Sequence, residues 1–226
     1  DLLGRNLPAI SARFPELLSE ATLANAVLSS RVSLETRESR ARNERIDNSP
    51  DPLETLVAEA DQAKLPSLKY ELYMRAARLA LKLRKYKRSV DLILHSAEVD
   101  MSSNSVSEEV RANERNRFLA DMAAGCLDQQ NEESADYAIK KLPDPILKAE
   151  LLIKKSKYFI KAGDVVAANA ELDQATKLAA NIEDLSRRAS VLLNMLTLAQ
   201  KLDPARMYEI NRSAAKSINA LQVPNK

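Results

Sequence analysis

The sequence predicts an all-α fold of about ten helices joined as α-α hairpins. Three observations predict it. The 226 residues include three glycines, no tryptophan and 4% aromatics against 45% hydrophobic and 29% charged side chains. That composition, rich in Ala, Leu, Lys, Arg and Glu, favours helix over strand. Asp-Pro recurs at 51–52, 144–145 and 203–204, each time opening an apolar periodic run. Small residues recur at one point of that periodicity, as in Ala135 and Ala168.

In chain order, Pro15 opens PELLSEATLANAVLSSRV, where Leu17, Leu18, Ala21, Ala24, Val27 and Leu28 keep the three-and-four spacing of one buried face. No large apolar residue falls between Leu34 and Ile46, so that stretch reads as a solvated helix or a linker. Residues 1–50 are thus a helical segment with a charged stretch. Residues 51–226 read as the repeat region, continuous with it as one domain. Asp51, Asp144 and Asp203 are expected N-caps, each followed by a proline whose missing amide wastes no donor at the first helical position. Ser67 and Ser107 are expected to cap in the same way. Helices follow at 52–64, 67–83, 86–101, 107–129, 131–142, 145–162, 164–181, 184–201 and 204–221. The breaks between them are short, so neighbours are expected to run antiparallel.

Aligning Ala168 with Ala135, an offset of 33 residues, also brings Leu152 onto Leu119, Ser156 onto Ala123, Phe159 onto Cys126, Leu172 onto Ile139 and Ala175 onto Leu142. A third copy lies 46 residues upstream of the second, at Tyr73, Ala77, Ala80, Ser89 and Ile93, the extra length falling around Ser102 to Asn116. Ala or Ser at the crossing of two antiparallel helices lets their backbones come within about 8 Å. Bulk sits one turn away.

A period near 34 with this small-large pattern resembles the tetratricopeptide repeat, carried by Leu152, Ser156, Phe159, Gly163-Asp164, Ala168, Leu172 and Ala175. Tyr86 sits where that family often has an aromatic, while Arg84 and Gln130 replace its turn glycine. The resemblance covers about half the chain and implies a degenerate superhelix of α-hairpins, in which the first helix of each pair lines a concave groove. It implies Met74, Arg78, Lys82, Arg117, Lys157 and Lys161 as groove residues, suited to an anionic peptide.

Net charge is +2 overall but segregated along the chain. The balance is +6 over 64–98, −6 over 99–136, +5 over 138–161, −4 over 163–184 and +5 over 185–226. The bland reading is that helices of opposite sign attract across the stack; the sharper one is that they offer complementary patches to a partner. The run KLRKYKR, Lys82 to Arg88, reads as turn solvation rather than a nucleic-acid site, and no strong overall charge draws the chain to DNA.

One cysteine and one histidine cannot build a zinc site, so neither metal nor cofactor is expected. Cys126 reads as an inert core thiol and His95 as a structural histidine, because no partner constellation accompanies either. No phosphate-cradling or hydrolase motif occurs, and no run is apolar enough to span a bilayer. The chain is therefore expected to be non-enzymatic. The start at Asp1 rather than Met is the expectation of a processed, extracytoplasmic chain, with a cytoplasmic one as the alternative.

The last helix is apolar at Met207, Ile210, Ala214, Ile218 and Leu221, with Tyr208 and Val223 besides, and does not read as a full polar cap. The leading expectation is accordingly a scaffold working through protein contacts and joining copies head to tail into a ring or filament, with Met207, Tyr208, Ile210, Ile218 and Leu221 at the joint. The alternatives are an adaptor with a basic peptide groove and, third, a ligand-sensing or RNA-binding regulator; no aromatic stripe supports RNA.

Overall fold

A computed structural model describes residues 2–30, 34–99 and 107–222. Among them the chain forms twelve α-helices and one 3-10 turn, with no strand. It divides into two compact units, Asp1–Glu59 and Ala60–Lys226.

The first unit holds α1 (Leu2–Arg13), the 3-10 turn (Pro15–Leu17), α2 (Leu18–Ser30), α3 (Leu34–Asp47) and the start of α4 (Pro52–Gln62). Helix α1 precedes the first helix that periodicity predicts, and Pro8 lies inside it. Pro15 opens the 3-10 turn, and α2 starts only at Leu18. The face predicted here is not buried: Leu17 is 48% exposed and Ala24 is exposed. Helices α1 and α2 pack on each other and on the 3-10 turn, and among the described residues much of their apolar surface stays uncovered. Helix α3 is the solvated helix of the two options. Its Arg42 and Arg45 reach the Glu59 carboxylate at 3.4 and 2.8 Å.

In the second unit eight helices pair in chain order: α5 (Pro66–Lys82) with α6 (Tyr86–Ala97), α7 (Glu108–Asp128) with α8 (Glu132–Lys141), α9 (Pro145–Ala162) with α10 (Val165–Ala180), and α11 (Leu185–Leu202) with α12 (Pro204–Gln222). Successive pairs stack, α6 on α8, α7 on α9 and α9 on α11, the arrangement of a helical solenoid. Helix starts follow the capping residues. Asp144 accepts from the amides of Ile146 and Leu147, Asp203 from Ala205 and Arg206, and Ser107 from Val110. Helix α5 differs: Leu65 is its N-cap and Pro66 its first residue, so Ser67 lies within the helix. The predicted end of α6 at 101, the loop from Ser102 and the side chains of Val27, Leu28 and Val223 lie outside what is described.

The first three hairpins turn in one way. Arg84, Gln130 and Gly163, at matching repeat positions, all take the left-handed conformation, with φ of 58°, 59° and 80°. Beyond each, the next amide bonds back to a carbonyl in the first helix: Lys85 to Ala80, Asn131 to Cys126 and Asp164 to Phe159, at 2.8 to 2.9 Å. This is the capping bond that closes a helix through a left-handed residue. Glycine takes that conformation without penalty, whereas Arg84 and Gln130 hold it at a cost of roughly 1 kcal/mol each.

The small residues sit at the crossings. Ala77 faces Ser89 and Ser156 faces Ala168, and Ala123 and Ala135 hold the matching positions of the middle hairpin, all with no exposed surface. The Ser89 hydroxyl donates to the Ala77 carbonyl and the Ser156 hydroxyl to the Ala168 carbonyl, both at 2.8 Å. Around these crossings Met74, Leu92, Leu119, Leu142, Leu172 and Met195 are buried, each contributing about 1.5–3 kcal/mol of apolar burial.

Candidate functional site

Of the first helices of successive pairs, α7, α9 and α11 pack side by side, and α5 meets α7 through side chains; open crevices lie between them. Glu114 holds α7 to α5 by accepting from Arg78 at 2.7 Å and from the Tyr70 hydroxyl at 3.0 Å. Burial and that carboxylate push the Tyr70 phenol up to about 12. Arg115 stacks 5.9 Å over the same ring.

Two crevices open at the turn end of these helices. The one between α5 and α7, about 430 Å³, is lined by Lys82 and Tyr86 on one side and by Phe118, Asp121, Met122 and Gly125 on the other. The one between α7 and α9, about 590 Å³, is lined by Asp128 and Gln130 and by Lys154, Lys157, Tyr158 and Lys161. They occupy matching repeat positions: Lys82 corresponds to Asp128, Asp121 to Lys154 and Gly125 to Tyr158. A third crevice, at the other end of the helices, is also about 430 Å³ and runs from Arg117 of α7 across Ile146 and Glu150 of α9 to Arg187 and Val191 of α11.

The structure distributes the six expected groove residues as follows. Lys157 and Lys161 share the α7–α9 crevice, Lys82 lines the next one and Arg117 the third. All four are exposed and make no ion pair among the described residues. Arg78 is half-exposed and paired with Glu114. Met74 is a correction: it is 1% exposed, packed with Tyr70 and Val99, and its sulfur accepts from Ser96 at 3.4 Å. It is core because Tyr70 and Val99 cover it. Sequence reasoning missed Tyr158, Phe118 and Gly125; the 33-residue offset, which sets Gly125 against Tyr158, could have located those two.

At the expected joint, Ile210 is 2% exposed and Met207 half-buried, while Tyr208, Leu221 and Ile218 are exposed at 70%, 51% and 36%. Ile210 is corrected to a core residue, because α12 spends its apolar stripe on α11. The outward face of α11 carries Ser186, Ser190, Asn194, Thr197 and Gln200, with Leu193 45% exposed among them.

Much of the segregated charge meets across the hairpins. Lys87 reaches Glu133 at 2.6 Å, Lys154 reaches Asp128 at 2.8 Å and Arg206 reaches Asp173 at 2.9 Å, each joining a basic stretch to an acidic one. Lys155 is the deepest such pair. Its ammonium lies 2.6 Å from Asp136 on α8 and 2.8 Å from Glu171 on α10, with the side chain 7% exposed. Burial pulls this ammonium down, but the hydrogen bonds and charges of Asp136 and Glu171 outweigh it and hold Lys155 above its ordinary value.

Cys126 is buried, which pushes its thiol up and away from the reactive thiolate. His95 Nδ1 bonds the Asp91 carbonyl at 2.7 Å, and its ring leans on Tyr73 with centroids 6.0 Å apart. Among the described residues no cluster of His, Cys, Asp and Glu could hold a metal, and no helix is long and apolar enough to cross a membrane.

No protein-family model and no curated protein matches the chain. Among solved structures it is similar to the crystal structure of BtubC (BKLC) from P. vanneervenii, at 15% identity and a TM-score of 0.41, over 100% of this chain and 95% of that one. At that score the likeness carries no inference about function.

Proposed function

We propose that this chain is a non-enzymatic helical-repeat scaffold of the tetratricopeptide type, holding a segment of another protein across the face of its first helices. What supports the reading is the pair of crevices at matching positions between successive first helices, edged by Lys82, Lys157 and Lys161. An extended segment suits such a row, because its side chains enter successive crevices while its backbone follows the face. The cations that edge the crevices raise encounter rates for acidic segments and make binding salt-sensitive.

Selection of a random peptide library on the purified full chain, followed by mapping of the bound peptides, tests this reading. Binders that perturb amides of α5, α7 and α9 support it; a chain that selects no peptide, or binds only along α6, α8 and α10, contradicts it. Self-assembly is the second reading, favoured by the exposed Tyr208 and Leu221 of the last helix. Mass measured over a range of concentration and salt tests it, and a monomer throughout removes it.

A further inference from the structure

We infer that the segment bound on the first-helix face presents an apolar side chain to the α5–α7 crevice and, about three residues along, a carboxylate to the α7–α9 crevice. This rests on the docking reading above and specifies its partner.

The two crevices match in position but differ in chemistry. Between α7 and α9, Tyr158 fills part of the opening, and Lys154, Lys157 and Lys161 bring three ammonium groups against one carboxylate, Asp128. Asp128 is already bonded to Lys154 at 2.8 Å. Lys157 and Lys161 are left to face an incoming anion, and their spacing of one helical turn suits one carboxylate between them.

Between α5 and α7 the position of Tyr158 is held by Gly125, and the positions of Lys157 and Lys161 by Ala124 and Asp128. With no side chain at 125, Phe118 and Met122 form the floor, while Lys82, Arg84 and Asp121 line the rim, one net positive charge against the two of the α7–α9 crevice. Such an apolar floor, open where Tyr158 fills the matching crevice, favours an apolar side chain. One step along the stack is one helix-helix separation, roughly 8–10 Å, which extended chain at about 3.3 Å per residue covers in about three residues. The partner is therefore an extended segment with an apolar anchor and an acidic anchor at that spacing.

The experiment is the same random-peptide selection on the full chain, read by sequencing the binders and repeated on two variants. The wild-type chain is expected to enrich Leu, Ile, Met or Phe about three positions from Asp or Glu. Lys157→Glu with Lys161→Glu is expected to invert the acidic preference to Lys or Arg, to keep the apolar one, and to weaken an acidic binder roughly tenfold or more at low salt. Gly125→Tyr installs the residue of the matching position where a Cβ meets nothing within 4 Å. It is expected to lose the apolar preference and keep the acidic one.

Lys157→Gln with Lys161→Gln provides a milder pair, expected to flatten the acidic preference without inverting it. Binders on the first-helix face that lack the acidic preference, or retain it in both lysine pairs, overturn this inference and leave the docking reading standing. Selection of no peptide overturns both.

Discussion

The Ser156 hydroxyl donates to the Ala168 carbonyl across the α9–α10 crossing at 2.8 Å, with both residues fully buried. One hairpin pair earlier in the repeat the matching positions are Ala123 and Ala135, and in the first they are Ala77 and Ser89, with donor and acceptor helices exchanged. The crossing demands small side chains and tolerates either chemistry. Ser156→Ala is expected to cost about 0.5–1.5 kcal/mol, the net worth of one buried hydrogen bond. Ala135→Leu is expected to cost more, about 1–3 kcal/mol or beyond, because it drives the helices apart. Urea denaturation followed by circular dichroism checks both.

The three left-handed turns make a second expectation. Arg84→Gly and Gln130→Gly should each stabilise the protein by about 0.5–1 kcal/mol, since glycine relieves a conformation that both residues already hold. Gly163→Ala should destabilise by about 1 kcal/mol from backbone strain alone, its added Cβ meeting nothing within 4 Å. Opposite signs for the two kinds of change, measured as shifts in denaturation midpoint, are the expected result.

These turns and crossings mark how far the sequence could be read. The size limit at Ala135, Ala168, Ser89 and Ser156 is written in the residues, as are the caps at Asp144 and Asp203, because sterics and free amides leave few choices. The turns at Arg84 and Gln130 carry no such signal, since a residue can bear about 1 kcal/mol of strain without its identity revealing it. Lys157 and Lys161 were legible as a basic pair one turn apart. Met74 and Ile210 were not placeable, because both follow the apolar periodicity and only tertiary structure decides which face is covered. In the first unit periodicity misled for the same reason: the stripe through Leu17 and Ala24 exists, but the unit leaves those two residues exposed.

Lys155 and Glu171 stand where the preceding hairpin has Met122 and Ala138. Removing one partner leaves a poorly solvated charge, so Lys155→Met alone or Glu171→Ala alone is expected to cost about 1–3 kcal/mol. The double change copies the apolar pair of the previous hairpin and should return stability to within about 1 kcal/mol of the wild type. A double-mutant cycle in urea measures this, and additive single losses would contradict it.

Stability should fall in alkali. Burial raises the Tyr70 and Tyr73 phenols to about 12, helped by Glu114 and Asp61 respectively, from an ordinary value of 10.0. A phenol whose folded value is raised favours the fold fully below its unfolded value and loses that contribution as pH climbs from about 10 to 12. Lys155, also raised, loses its contribution in the same direction above its ordinary 10.5. Denaturation midpoints should therefore drop steeply above pH 10, and less steeply in Tyr70→Phe and Tyr73→Phe.

The central claim is that a partner segment lies across the first helices. Amide hydrogen exchange of the full chain with and without a selected peptide tests it most directly. Slowed exchange is expected around Lys82 in α5, Gly125 in α7 and Lys157 in α9, with α6, α8 and α10 little changed. Protection confined to those second helices, or to α12, would contradict it.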